Sequence, residues 1–352
     1  MAGSDRRQDP SELSIKDARE QWLAKQTGKT DRTQSAYDRR TRLFIQWCEN
    51  EEITTVGELS PFLIDQFDLW IRNRYDSDST IRGRLQTNKQ LLDYIDGLGI
   101  HDAPLADAID VPVLDRQQAS NQTRLRTDDA TALLAHYRDD LATFGSPEHA
   151  FLELAWFTGA RVGSLRALDL GDYEPDEHRI RFQHRPDSGT GLKNKQAGER
   201  YVGLSDDVCD ALDAYIARER SDKWDDHGRR PLFCSRQGRV SFTTLRAWSY
   251  LGTQPCVYGP CPHERDPATC EYRERNHSSK CPSSRSPHQI RTGSITWQLD
   301  QGLPPETVAA RVNATPRVIR EFYDVAEDDE AFQERRSHVA DQLDDHDDED
   351  SP

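Results

Sequence analysis

Apolar residues recur at helical spacing through the first hundred positions. Tyr37, Phe44, Trp47 and Cys48 stand at i, i+7, i+10 and i+11. Leu63, Phe67, Trp70 and Ile71 follow at i, i+4, i+7 and i+8, and Ile81, Leu85, Leu91, Leu92 and Ile95 continue the pattern. Each stripe predicts a helix with one buried face. Ser14 is a natural N-cap for a helix over 15–25 carrying Trp22 and Leu23, and Ser60-Pro61 is a cap followed by proline at the first helical position. Four short helices of this kind predict a bundle over residues 13–100.

The periodicity is lost over 101–126, where Pro104, Pro112, Gln117, Gln118, Asn121 and Gln122 read as a linker. It resumes at Thr127-Asp128-Asp129, a helix start, and again at Ser146-Pro147, which opens a helix through Phe151, Leu152, Leu154, Ala155 and Trp156 before a Thr158-Gly159 break. Segments 179–184 and 200–204 read as short strands flanking a Gly/Lys turn. Segments 206–220 and 243–251 return to helix. The expected fold is mainly α with a small antiparallel β-sheet, an α+β arrangement. Residues 1–12 read as a disordered polar tail. The region 331–352 reads as one short helix carrying Phe332, Val339 and Leu343, followed by a solvated acidic tail.

At 352 residues the chain can bury two cores. It has no apolar run near the ~18 residues of a membrane span, and its polar N-terminus lacks a signal-peptide core, so a soluble cytoplasmic protein is expected. The net charge of −16 speaks at first against a nucleic-acid partner. Eight lysines against thirty-eight arginines, with dense carboxylates, suggest instead the surface of a halophile, where salt screens the repulsion. On that reading the net charge says little about partners.

Four separated pieces carry the chemistry: Thr158-Gly159-Ala160-Arg161, Lys195 before Gly198-Glu199-Arg200, His288-Gln289-Ile290-Arg291, and Tyr323. Two arginines can hold a phosphate by paired charge-assisted bonds. A histidine three residues before one of them shares its helical face, and a tyrosine can serve as nucleophile.

The run from Leu154 through Arg161 to Leu170 resembles the first arginine box of the tyrosine recombinases, the phage integrase and Xer-type family. Ser286-Pro287-His288-Gln289-Ile290-Arg291 resembles the family's His-x-x-Arg box, and Val318-Ile319-Arg320-Glu321-Phe322-Tyr323 its nucleophile segment. The resemblance implies a SAM-like helical core-binding domain over 13–100, a linker over 101–126, and a catalytic domain over 127–330 with a Cys-rich insert at 254–283. It implies a site-specific recombinase or integrase acting on double-stranded DNA at repeated sites, as a tetramer on DNA, without a catalytic cofactor. Tyr323 would attack the scissile phosphate to leave a 3′-phosphotyrosine. Arg161 and Arg291 would neutralise the non-bridging oxygens, and His288 would bond to them or take the tyrosine proton. Lys195, or alternatively Lys193, would protonate the leaving 5′-oxygen. Where the family usually has His or Trp this chain has Asn313, which can donate one hydrogen bond but cannot titrate. A type IB topoisomerase and a catalytically weakened zinc-containing DNA-binding protein are the alternatives.

Cys256, Cys261, Cys270 and Cys281, interleaved with prolines, are expected to hold a structural Zn²⁺. Independent thiols or an iron–sulfur cluster are the competing readings. Cys48, Cys209 and Cys234 are expected to be small buried residues. Arg39, Arg40, Arg42, Arg82, Arg84 and Lys89 are local basic excesses suited to DNA, or solvated helix faces paired with nearby acids.

Overall fold

The computed structural model describes residues 9–114 and 123–322. Tyr323 and the expected C-terminal helix and tail lie outside the described residues, as do positions 1–8 and part of the expected linker. The chain divides into two compact units, Met1–Asn121 and Gln122–Pro352.

The first unit contains helices α1 (Ile15–Ala24), α2 (Asp31–Asn50), α3 (Pro61–Arg74) and α4 (Asp78–Asp96). Ser14 caps α1 by accepting from Asp17 N at 3.0 Å, and Ser60 caps α3 by accepting from Leu63 N at 3.3 Å. The aromatic stripes meet in the middle of the unit. Phe44 and Phe67 lie edge to face with centroids 5.0 Å apart, and Trp47 lies 5.4 Å from Phe67. Full burial of each such ring is worth about 1.5–3 kcal/mol, so these contacts hold α2 against α3. The bundle extends past residue 100: Leu105, Ala106 and Ile109 are buried in the same core. The Asp96 carboxylate accepts from Leu105 N at 2.8 Å and Ala106 N at 3.0 Å. The prolines of this stretch masked its packing, which uses isolated apolar residues without a helical repeat.

The second unit is built around α6 (Pro147–Thr158), which is apolar on nearly every side and buries Phe151, Leu152, Leu154 and Trp156. Such a helix belongs at the centre of a core. Two of its polar interior residues are paired: Glu153 accepts from Arg138 at 2.7 and 3.0 Å and lies 3.3 Å from His149 Nε2. Around it stand α5 (Thr127–Asp139), α7 (Val162–Ala167), α8 (Asp206–Arg218), α9 (Phe242–Gly252), α10 (Pro287–Asp300), α11 (Pro305–Val312) and α12 (Pro316–Phe322). A three-stranded antiparallel sheet joins β1 (Tyr173–Glu174), β2 (Arg179–Phe182) and β3 (Arg200–Gly203) in sequence order. Ile180 faces Val202 on the buried side, while Arg181 faces Tyr201 outward. β1 and a second pair, β4 (Cys234–Ser235) with β5 (Gly238–Arg239), are two residues each, too short to show alternation in sequence.

The Cys-rich insert departs from expectation. Among the described residues no group of three or more His, Cys, Asp or Glu side chains is gathered to hold a metal ion. Cys256, Cys261, Cys270 and Cys281 are separate, partly exposed free thiols. The physical reason is that other bonds organise the insert. Gln254 Nε2 donates to Tyr272 O at 2.7 Å, Ser284 Oγ donates to Ser278 O and Cys281 O at 3.0 and 2.9 Å, and Thr253 Oγ1 accepts from Arg285 N at 2.7 Å. Cys256 Sγ lies 3.8 Å from a guanidinium nitrogen of Arg273. Cys48, Cys209 and Cys234 are buried. No helix among the described residues is long and apolar enough to cross a membrane.

Candidate active site

Arg161 is placed by the break that precedes it. Gly159 ends α6 in the left-handed conformation, φ +57°, with its N–H on Ala155 O. Thr158 turns its hydroxyl back onto Leu154 O at 2.6 Å and accepts from Ala160 N at 3.3 Å. Arg161 then stands in extended backbone as the N-cap residue of α7. His288 and Arg291 lie in the first turns of α10. That helix starts with a capping box: Ser286 Oγ accepts from Gln289 N at 3.4 Å, and Ser286 N donates to Gln289 Oε1 at 2.8 Å.

Three arginines meet at the C-terminal end of α11. Arg200 Nε donates to Arg311 O at 2.6 Å, Arg291 Nη1 donates to Val312 O at 2.7 Å, and Arg161 Nη1 donates to Asn313 O. Three consecutive carbonyls thus accept from three guanidiniums drawn from β3, α10 and the α6–α7 break. The last carbonyls of a helix have no intrahelical partner and carry the negative end of its dipole, so cations settle there. Asn313 exposes them by ending α11 with φ +55° and ψ +59°; asparagine tolerates this conformation better than most residues.

The gathered charge is felt locally. Burial, with the charges of Arg161 and Arg311, pushes Arg200 down to about 10, and its Nη2 is buried without a hydrogen-bond partner among the described residues. Its guanidinium also lies 4.2 Å above the Phe182 ring. Burial also lowers Arg311, which donates to Gln298 Oε1 at 3.1 Å and Phe157 O at 3.2 Å. Burial first, then the charges of Arg291, Arg161 and Lys193, lowers the His288 imidazole below its ordinary value, although the residue keeps an exposed edge.

The two lysines differ in placement. Residues 183–199 leave the sheet between β2 and β3 and return through a buried Leu192, whose N–H donates to His184 Nδ1 at 2.9 Å. Lys193 follows that anchor directly, and its charge reaches His288. Both lysines are exposed, and Lys195 stands at φ +53° in the turn Lys195–Gly198. Asn313 Oδ1 accepts from Asn194 Nδ2 at 2.8 Å, between the two lysines.

In the first unit, Arg39, Arg40 and Arg84 lie close enough for their charges to interact, together with Arg74; burial and these like charges lower Arg84, while Tyr75 opposes the shift. The other basic residues have local partners. Arg42 pairs with Asp38 at 2.7 Å, Arg82 donates to Pro112 O, and Lys89 donates to Ala106 O at 2.8 Å and Ile109 O at 3.2 Å. Arg200, Arg311 and Arg74 were not singled out by sequence reasoning. Only the Glu199-Arg200 pair beside the lysine turn offered a signal for one of them.

No family model matches the chain. Over 221 residues it is 26% identical to the tyrosine recombinase XerC of Herpetosiphon aurantiacus, covering 62% of this chain and 67% of that protein. Over 241 residues it is 25% identical to the tyrosine recombinase XerD of Mycobacterium tuberculosis, covering 65% and 73%. Over these segments the chain is similar to tyrosine recombinases. Solved tyrosine recombinases share the fold. The Tn1549 transposon integrase in complex with a circular intermediate DNA superposes with a TM-score of 0.64 at 14% identity, over 93% of this chain and 99% of that one. A lambda integrase dimer bound to a core site gives 0.59 at 12% identity, over 93% and 78%. In this chain, Arg161 and Arg291 converge on the end of α11.

Proposed function

We propose that this protein is a site-specific recombinase that breaks and rejoins DNA strands through a 3′-phosphotyrosine, with Tyr323 as nucleophile. The observation that carries the reading is the convergence of Arg161, Arg200 and Arg291 on the carbonyls of residues 311–313, with His288 on the same face as Arg291. Guanidiniums held by backbone carbonyls are pre-oriented, and cost little reorganisation as charge develops on phosphorus.

In the proposed reaction the Tyr323 oxygen forms a bond to phosphorus while the bond to the 5′-oxygen breaks. Arg161 and Arg291 neutralise the non-bridging oxygens. His288, kept neutral by its surroundings, accepts the tyrosine proton. Lys193, anchored by Leu192 and electrostatically coupled to His288, gives a proton to the leaving 5′-oxygen, and Lys195 takes the role of a solvated turn residue. Attack by another strand's 5′-hydroxyl runs the steps in reverse and frees Tyr323. Every proton is supplied by a side chain, so no step draws on a cofactor.

Arg39, Arg40, Arg74 and Arg84 form the proposed phosphate-binding face of the first unit, since like charges held together favour an anionic partner. The lambda integrase has been solved as a dimer on a core site and a tetramer on a Holliday junction; we assign this chain the same kind of assembly on paired sites, acting on DNA inside the cell. Its acidic, arginine-rich surface suits high salt. The test is a plasmid carrying two target sites. A recombinase yields exchanged products, whereas relaxation of supercoils without exchange would contradict the reading.

A further inference from the structure

Asn313 takes the place of the family's usual His or Trp, but its side chain is bound to the lysine turn. The residue is only 9% exposed. Oδ1 accepts from Asn194 Nδ2 at 2.8 Å, and Nδ2 sits so close to Gly198 that a Cβ there would lie 2.5 Å from it. Both ends of the amide therefore address residues 194–198. The backbone of the same residue faces the other way: its left-handed conformation ends α11 and presents its carbonyl to Arg161.

We propose that Asn313 is a positioning residue that ties the lysine turn to Arg161, setting the acid and the first arginine at a fixed separation without touching the scissile phosphate. The inference rests on the reading of Lys193 as the acid. A lysine on an exposed loop has a long, mobile side chain, and misplacement by about 1 Å costs about 10²-fold in rate. One residue that bonds Arg161 through its backbone and the turn through its side chain removes that freedom.

Asn313→Gly tests this, because glycine keeps the left-handed backbone and the carbonyl on Arg161 while deleting the amide. Asn194→Ala removes the same bond from the other end. Cleavage is compared on an ordinary phosphodiester and on one whose bridging 5′-oxygen is replaced by sulfur, which leaves without an acid. Both variants are expected to be slowed about 10²-fold on oxygen and to match wild type within a few-fold on sulfur, and the double variant to be no slower than either single one. Arg161→Ala stays slow on both. A defect in Asn313→Gly that persists on sulfur would mean a phosphate contact or a folding role, and overturn the inference. Additive defects in the double variant, or no defect on oxygen, would overturn it equally. Wild-type protein on both substrates is the control: if it forms no Tyr323 adduct, the proposed function itself fails, whereas an active wild type with unrescued variants removes the inference alone.

Discussion

Arg291 Nη1 lies 2.6 Å from the carbonyl of Gly159, a residue 132 positions earlier in the chain. The bond joins the helix of His288 and Arg291 to the break that presents Arg161, from side chain to backbone carbonyl. Gly159 ends α6 in the left-handed conformation, and its carbonyl meets a side chain of α10. The space above Gly159 is already filled: a Cβ there would lie 2.8 Å from Val312 Cγ1, 3.0 Å from Ser294 Oγ and 3.2 Å from Gln298 Nε2.

Gly159→Ala is therefore expected to destabilise the protein by about 2–4 kcal/mol, from the left-handed backbone and the overpacking together. The urea midpoint should fall with an unchanged slope. A midpoint equal to wild type would show that neither the conformation nor the close approach is constrained.

The lowered His288 sets a pH window. Burial and the cations Arg291, Arg161 and Lys193 favour the neutral ring, so it titrates below its ordinary 6.5. Cleavage at sub-saturating DNA should be level near neutrality and fall only as pH drops through that lowered value, because protonated His288 cannot accept the tyrosine proton. The folded state also holds fewer protons there than the unfolded chain, so stability from this group is full above 6.5 and lost as pH falls through the folded value. An acid limb centred above 6.5, or one retained in His288→Gln, would contradict the assignment.

The two lysines should separate by substrate chemistry. Lys193→Ala is expected to lose most cleavage of an ordinary phosphodiester and to recover it on a 5′-bridging sulfur substrate, while Lys195→Ala stays near wild type on both. The reverse pattern would return the acid to Lys195.

Salt should stabilise this chain. With a net charge of −16, its carboxylates repel one another, and the screening length shrinks from about 10 Å at 0.1 M to about 3 Å at 1 M. The melting temperature should rise across that range of KCl. A flat or falling trend would remove the high-salt reading.

Much of this arrangement was legible in the chain. Ser14, Ser60-Pro61 and Ser146-Pro147 mark helix starts by chemistry that acts within one turn, and α1, α3 and α6 begin there. Arg161, His288 and Arg291 were picked out because their segments resemble the family's two boxes, and Arg161 and Arg291 meet at one helix end. The helix start at Thr127-Asp128-Asp129 was less well marked, since the N-cap position is Arg126 and makes no side-chain cap. The grouping at residues 311–313 was invisible, because carbonyls have no residue type and the three arginines come from distant segments. A local clue existed in α11, which begins at Pro305 and stops at Asn313, the proline-start and asparagine-stop pattern of a short helix. The zinc expectation finds no support among the described residues: cysteine spacing is local, whereas a metal site needs the thiols gathered in space, and they are not.

The most direct measurement is covalent trapping on duplex DNA nicked beside the target phosphate, so that the short released strand diffuses away and resealing is blocked. Wild-type protein in high salt should accumulate a denaturation-resistant protein–DNA adduct whose linked peptide contains Tyr323. Tyr323→Phe should bind the same DNA and form no adduct. An undiminished adduct in Tyr323→Phe, or one mapped to a different residue, would contradict the account.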